Sequence, residues 1–179
     1  MNHIMLDIET LGKEPGCPIL SIAAVQFGPE GVSATNNIYV KIDWAKSIKD
    51  YGLQIDAETL KWWLSKNPAT LRDQTNGTYS LRIALIQLAA FIESVGREPL
   101  IWAKSPSFDI NILEAAFKAA GVDIPWKYWQ ERDVRTIFGI DEALVKSMKH
   151  PEEHNALADA IHQAEICSII FGKYKIYDR

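Results

Sequence analysis

The hydrophobic pattern of this chain changes its period part-way along, and that change constrains the fold more than any other feature. Apolar runs at residues 3–9, 19–27 and 36–41 are separated by stretches that contain glycine and proline. This pattern is typical of three strands joined by hairpin-like connections. From about Ala57 onward, apolar residues recur at helical spacing. The pattern therefore predicts an antiparallel meander followed by helices.

The second part of the chain mixes helices with further strands. Asp56 is a candidate N-cap for a helix through Lys66, and Ser80 or Thr78 is one for a helix through Val95. The elements predicted after these are a strand at 99–103, a helix at 108–120 ending at Gly121, a strand at 128–135, and helices at 137–149 and 155–171. A meander followed by such alternating units predicts a mixed sheet covered by helices, an α/β architecture.

Length, composition and charge narrow the class of protein. At 179 residues and 47% hydrophobic content, the chain can bury a full core as one domain. Its cysteines, Cys17 and Cys167, are too few for a disulfide framework, and no apolar stretch approaches the roughly 20 residues of a membrane span. We therefore expect a soluble, cytoplasmic protein. A net charge of −4 argues against a basic body that grips a long stretch of duplex.

Asp7 and Glu9 stand two residues apart at the end of the first predicted strand, after the apolar run at residues 4–6. Residues i and i+2 of a strand point to the same face. Two carboxylates held that close repel each other unless they share a positive partner. The pair therefore predicts a divalent metal site, with a solvated strand end or turn as the alternative.

Two further positions extend this acidic pair. Asp109 follows Phe108 at the turn from the strand at 99–103 into the next helix. The alternative is that Asp109 or Ser107 caps that helix. Asp159 lies five residues after His154 in an otherwise apolar segment, where a buried carboxylate requires a partner. The alternative places Asp159 on the solvent face near a helix N-terminus, where the macrodipole favours it, and His154 on an exposed loop.

The chain resembles the DnaQ-like exonuclease superfamily, and more narrowly its DEDDh branch, through three motifs: Asp7-Ile8-Glu9, Phe108-Asp109, and His154 followed after four residues by Asp159. The resemblance covers residues 5–171. It implies a ribonuclease H-like fold, with a mixed five-stranded sheet flanked by helices, in a single exonuclease domain at residues 1–179. The segments at 60–63 and 133–136 look similar to small phage and bacterial exonucleases of the DexA kind.

The resemblance also implies an activity. Such enzymes are metal-dependent 3′-5′ exonucleases that release 5′-mononucleotides from single-stranded nucleic acid, and relatives are often homodimers. The implied ligands of two Mg²⁺ or Mn²⁺ ions are Asp7, Glu9, Asp109 and Asp159. His154 is the implied general base, and the candidate nucleotide contacts are Thr10, Leu11 and Phe108. DNA and RNA are not separated, because no residue identifies a contact to the 2′-hydroxyl.

Two departures from the family pattern bear on nucleotide contacts. Thr10-Leu11-Gly12 stands where Thr-Thr-Gly or Thr-Gly is common, and Ser105-Pro106-Ser107 stands where an asparagine often precedes the second motif. A non-catalytic nucleic-acid-binding module of this fold would have lost ligands, yet all five motif positions are filled. An unrelated α/β enzyme that uses Asp109 and His154 with a nucleophile lacks any Gly-x-Ser-x-Gly context.

Other residues around these motifs have more than one reading. Trp62 and Trp63 are adjacent on a predicted helix and point about 100° apart, so we expect one in the core and the other at a substrate or subunit contact. The lysines that could meet phosphates are Lys13, Lys61, Lys104 and Lys149. The remaining histidines, predicted to be structural or surface residues, are His3, His150 and His162.

Overall fold

The computed structural model describes residues 2–150 and 154–177, and its centre is a five-stranded sheet. The strands are β1 (His3–Thr10), β2 (Ile19–Gly28), β3 (Gly31–Lys41), β4 (Leu100–Ala103) and β5 (Glu131–Asp133). They lie in the order β3-β2-β1-β4-β5. Neighbours in the meander pair antiparallel, whereas β4 runs parallel to β1 and β5 runs parallel to β4. The predicted mixed sheet is confirmed.

Helices flank this sheet. They are α1 (Trp44–Tyr51), α2 (Ala57–Leu64), α3 (Pro68–Thr75), α4 (Leu81–Val95), α5 (Asp109–Ala120), α6 (Val134–Phe138), α7 (Glu142–Ser147) and α8 (Ala156–Tyr174). The predicted N-caps Asp56 and Ser80 are confirmed, as is Gly121 in the left-handed conformation at the end of α5. None of the described helices is both long and apolar enough to cross a membrane.

Several predicted boundaries are wrong. Residues 128–135 hold only the short strand β5, because a 3₁₀ turn precedes it and the Asp133 side chain accepts a hydrogen bond from the Arg135 backbone N–H (2.9 Å) to start α6. Residues 137–149 are not one helix, since Asp141 caps a separate α7. Helix α8 continues past Gly172 to Tyr174.

Two short helices were not predicted at all. Helix α1 begins after Asp43, whose side chain accepts a hydrogen bond from the Lys46 backbone N–H. Helix α3 begins at Pro68, with Asn67 as its N-cap. Proline suits the first turn of a helix because its missing N–H would have no intrahelical partner there. The Asn67-Pro68 pair therefore starts α3.

The two faces of the sheet are buried against different helices. Ile4, Leu6 and Ile8 of β1 pack in one core cluster with residues of α4 and α5, whereas Met5 packs in another with residues of α8. Side chains alternate along a strand. Asp7 therefore follows Met5 on the face that α8 covers.

Small residues let α8 approach this face closely. Ala156, Ala160 and Ala164 are fully buried at intervals of four residues in the α8 cluster. Residues four apart on a helix lie on the same side. The alanine row therefore brings the helix backbone near the sheet, and the polar residues beside it come within reach of β1.

The backbone at Gly77 lies close to the backbone of Ile42, next to the isolated β-bridge between Ile42 and Tyr79. A Cβ atom at Gly77 would overlap the backbone of Ile42. Because a backbone cannot rotate away as a side chain can, we expect Gly77→Ala to lower the free energy of unfolding by about 1–3 kcal/mol, measured by urea denaturation. Gly139→Ala is the control, since a Cβ there meets its nearest atoms at 3.6 and 3.7 Å. Equal stability of both variants would contradict the account.

Candidate active site

Carboxylates from the two ends of the chain meet where β1 passes under α8. Asp7 and Glu9 lie near the end of β1, and Asp159 lies in the first turn of α8. One oxygen from each of these three side chains lies within 4.8 Å of the others. The structure thus brings three of the four predicted ligands into one group, and Asp159 is not the isolated surface acid of the alternative reading.

Asp109 adjoins this group from the start of α5. Its side chain is buried, and its Oδ2 accepts a hydrogen bond from the Ser105 backbone N–H (3.3 Å). Helix α5 begins after Phe108 without a side-chain cap, so the alternative in which Ser107 or Asp109 caps it is wrong. Asp109 is not one of the three mutually close carboxylates, but its charge acts on Asp7.

Burial and repulsion from neighbouring carboxylates raise the pKa values of Asp7, Glu9 and Asp109. Burial is the largest cause for Asp7, followed by the charges of Asp109, Asp159 and Glu9, and its pKa lies well above the ordinary value. Burial and the charges of Asp159 and Asp109 raise the pKa of Glu9 to about 8. The pKa of Asp109 rises to about 7, because burial outweighs its backbone hydrogen bonds. The site therefore favours a bound positive charge.

The donor set fits a hard divalent cation. Every member of the group offers carboxylate oxygen, the ligand type that Mg²⁺ and Mn²⁺ prefer. A cation among these side chains would offset the repulsion that raises the pKa values of Asp7 and Glu9. The residues present therefore suit a divalent metal.

Neighbouring groups orient two of the acids. The Gln163 side-chain Nε2 donates a hydrogen bond to Asp7 Oδ1 (2.9 Å), and the Asn155 backbone N–H donates one to Asp159 Oδ2 (3.1 Å). His150 Nε2 lies 2.8 Å from Asp159 Oδ1. Gln163 was not among the predicted site residues, and His150 was predicted to be a structural or surface residue. Gln163 lies four residues after Asp159, a spacing that could have placed it beside the site.

His154 lies in the turn before α8, with φ of 68°. Asn155 caps α8, and its side-chain oxygen accepts hydrogen bonds from the backbone N–H groups of Leu157 and Ala158. The His154 ring meets Trp62 edge-on, at 4.7 Å between ring centroids. The histidine is therefore partly buried against α2 rather than isolated on an exposed loop.

A cavity of about 750 Å³ opens beside Glu9. Its lining includes Thr10, Gly12, Lys13, Glu58, Thr59, Lys61, Trp62, Trp63 and Phe108. Of the predicted nucleotide contacts, Thr10 and Phe108 line this space, whereas Leu11 is buried and packs with Leu20 and Trp63. Of the four lysines, Lys13 and Lys61 line it, and Lys104 and Lys149 do not.

The adjacent tryptophans divide as expected. Trp63 is 1% exposed, and its Nε1 donates a hydrogen bond to the Thr10 carbonyl oxygen (2.8 Å). Trp62 is 40% exposed at the cavity wall. The core half of that prediction is confirmed, and Trp62 presents an aromatic surface to the cavity.

The family model described as "3'-5' exoribonuclease Rv2179c-like domain" matches residues 2–171. The chain belongs to this family. Its membership confirms the predicted DnaQ-like, DEDDh resemblance, and the family description names a 3′-5′ exoribonuclease domain. The narrower likeness to DexA-type exonucleases stays a prediction. Divalent-metal dependence is a property of the DEDDh family. The reading as an unrelated α/β enzyme is wrong.

Solved structures agree on the fold of this Rv2179c-like domain. The nuclease domain of 3'hExo, a DEDDh family member bound to rAMP, has a TM-score of 0.67 and 10% identity over 95% of this chain and 91% of that one. Cell-death related nuclease 4 (CRN-4) has a TM-score of 0.65 and 9% identity, over 95% of this chain and 64% of that one. The zinc-bound E. coli ExoI–ssDNA complex has a TM-score of 0.68 and 14% identity, over 98% of this chain and 42% of that one.

These likenesses have a defined scope. The Rv2179c-like chain spans just under two thirds of CRN-4 and about two fifths of ExoI. At 9–14% identity, they confirm the ribonuclease H-like fold. No curated protein sequence matches the chain.

Proposed function

We propose that this protein is an exoribonuclease that removes 5′-mononucleotides one at a time from the 3′ end of single-stranded RNA. The observation that carries the proposal is the convergence of Asp7, Glu9 and Asp159 beside a cavity of about 750 Å³ with an aromatic wall. Pockets of this size hold molecules as large as a nucleotide. The choice of RNA is supported by the family description, which names an exoribonuclease.

Asp7, Glu9, Asp109 and Asp159 would hold two Mg²⁺ or Mn²⁺ ions. Such ions supply positive charge to the phosphoryl oxygens and the leaving oxygen and make the attacking water more acidic. Asp7 would lie at the centre of this ligand set, because the charges of the other three acids all act on it. Asp109 is held at the start of α5, where its Oδ2 accepts a hydrogen bond from the Ser105 backbone N–H.

His154 would act as the general base. A neutral imidazole nitrogen accepts a proton from the attacking water, whose oxygen then bonds to the terminal phosphorus. The bond from phosphorus to the 3′-oxygen of the preceding nucleotide breaks, and that oxygen takes a proton from solvent. The products are a 5′-mononucleotide and an RNA shortened by one nucleotide with a free 3′-hydroxyl.

Trp62 is the candidate stacking surface for the terminal base. Its ring is exposed at the cavity wall and meets Lys66 on one face, at 4.3 Å from Nζ to the ring centroid. Stacking on an aromatic ring grips single strands without reading sequence. We expect Trp62→Ala to raise KM for a short RNA about 10-fold, corresponding to about 1–3 kcal/mol per stacked base. Steady-state kinetics on oligomers of one sequence would measure this.

Trp129→Ala is the matched control for this substitution. Trp129 is also a surface tryptophan, 52% exposed, but it lies in the 3₁₀ turn before β5 and is not among the cavity residues. Its removal should leave KM within about twofold of wild type, well below the effect of one stacked base. An unchanged KM in Trp62→Ala would remove Trp62 from the substrate site.

The activity itself is tested with 5′-labelled single-stranded RNA and DNA of matching sequence. Purified protein with Mg²⁺ or Mn²⁺ should produce a ladder that shortens one nucleotide at a time from the 3′ end of RNA, and EDTA should stop it. Faster degradation of DNA would overturn the choice of RNA. If neither RNA nor DNA is cleaved, the proposed function is overturned.

A homodimer is a further proposal, supported by the resemblance to relatives that are often dimers. Light scattering on the purified protein measures the mass directly. A value near 20.2 kDa would contradict the dimer, and twice that value would support it.

A further inference from the structure

Gln163 is a buried polar residue that none of the exonuclease motifs includes. It lies four residues after Asp159 on α8, and its side chain is 5% exposed. Its Nε2 donates a hydrogen bond to Asp7 Oδ1 (2.9 Å). The bond joins the last helix to the first strand at the centre of the acidic group.

The amide has a defined orientation toward the carboxylate. If its oxygen instead faced the Asp7 oxygen, two acceptors would be in contact, which is unfavourable for an ionised acid. In the observed orientation, Oε1 is buried and has no hydrogen-bond partner among the described residues. An unpaired buried acceptor is destabilising, and an apolar side chain of similar size would avoid it. Stability alone therefore does not account for a glutamine here.

We propose that Gln163 is a positioning residue, which fixes the rotamer of Asp7 so that its carboxylate faces Glu9 and Asp159 ready for a divalent cation. The inference rests on the proposed function for its relevance to hydrolysis. Groups that hydrogen-bond to a metal-binding side chain hold it in the binding geometry before the ion arrives. The neighbouring alanine row keeps α8 close to β1, so the Gln163 side chain reaches Asp7 across the helix–sheet contact.

Gln163→Met removes the donor while keeping an unbranched side chain of similar size. We expect Mn²⁺ affinity, measured by calorimetry without any RNA, to fall about 10-fold. The Mg²⁺ concentration for half-maximal hydrolysis should rise by a similar factor, and KM for RNA at saturating Mg²⁺ should stay within about twofold. Gln163→Glu keeps the shape but faces Asp7 with an acceptor, so it should not restore the wild-type Mn²⁺ affinity.

Ser168→Ala is the matched control. Ser168 is a buried polar residue on the same helix, and its Oγ donates a hydrogen bond to the Gly28 carbonyl oxygen (2.7 Å) away from the acids. This variant should melt at a lower temperature than wild type yet bind Mn²⁺ with unchanged affinity. A purely structural role for Gln163 would give the same result in Gln163→Met.

The outcomes separate this inference from the proposed function. Wild-type Mn²⁺ affinity in a folded Gln163→Met protein would overturn the positioning role and leave the exonuclease assignment standing. If wild-type protein cleaves neither RNA nor DNA but Gln163→Met binds Mn²⁺ more weakly than wild type does, the proposed function is overturned and the positioning role is supported. Equal loss of Mn²⁺ affinity in Ser168→Ala would also overturn the role, because the effect would then be general to α8.

Discussion

Asp7→Asn should abolish RNA hydrolysis, with initial rates at least about 10³-fold below wild type, the scale seen when one member of a cooperating catalytic set is removed. Asp7 lies at the centre of the acidic group, and the charges of Asp109, Asp159 and Glu9 all act on it. Asparagine keeps the shape but removes the charge that would attract a cation. The fold should be retained, and circular dichroism of the variant should show the same helix content as wild type.

The same variant should change the pH dependence of stability. Burial raises the pKa of Glu9 from 4.5 to about 8 and that of Asp109 from 3.8 to about 7 in the folded protein. Between about pH 4 and pH 8 these two groups bind more protons in the folded state than in the unfolded state, so the stability that they contribute is fully present below about pH 4 and is lost as pH rises to 8. We expect the melting temperature of metal-free wild type to fall by roughly 5 °C or more between pH 5 and 8.

Asp7→Asn should lose less of its stability over this range, because one source of repulsion is gone. Adding Mg²⁺ at pH 8 should restore the wild-type melting temperature and have little effect on the variant. Glu93→Gln, which removes an exposed negative charge from α4, is the control and should follow wild type. If the melting temperatures of all three proteins depend on pH in the same way, the acidic cluster does not destabilise the metal-free protein and this account is contradicted.

The parts of this site that could be predicted from sequence are those fixed by local rules. Asp7 and Glu9 share a face because strand side chains alternate, and the apolar run before them fixes which strand they end. Asp56, Ser80 and Asn155 were predictable caps because each carries a side-chain acceptor just before a helical pattern. The sheet and the longer helices could be predicted because apolar residues recur along them at the spacing of a strand or a helix.

What could not be predicted depends on contacts between distant segments. Helices α1 and α3 have only eight residues each, which is too short for a clear apolar period, so tertiary packing and caps decide them. Asp133 competes as a cap for α6 and ends the strand that its β-branched neighbour Val134 favours. His150 Nε2 lies 2.8 Å from Asp159 Oδ1, and nothing in the local sequence signals that approach.

His154→Ala should lower kcat for RNA by about 10²–10⁴-fold, the usual contribution of general acid–base catalysis. His154 sits beside Trp62 at the edge of the cavity rather than among the mutually close carboxylates, so Mn²⁺ affinity should remain near the wild-type value. A histidine acts as a base only when its imidazole is neutral, so wild-type kcat should rise with pH through the histidine range. That rise should disappear in the variant, which pH–rate profiles at saturating Mg²⁺ would show.

His162→Ala is the control that tests whether the effect belongs to His154. His162 also lies near Asp159 on α8, but its ring meets His150, at 4.5 Å between centroids, rather than the cavity wall. Its loss should change kcat by only a few fold.

His150 itself gives a different expectation. Because its Nε2 lies 2.8 Å from Asp159 Oδ1, His150→Ala should weaken Mn²⁺ binding. A histidine variant that loses kcat, keeps Mn²⁺ affinity and loses the pH-dependent rise identifies the base, and if that variant is not His154→Ala the assignment fails.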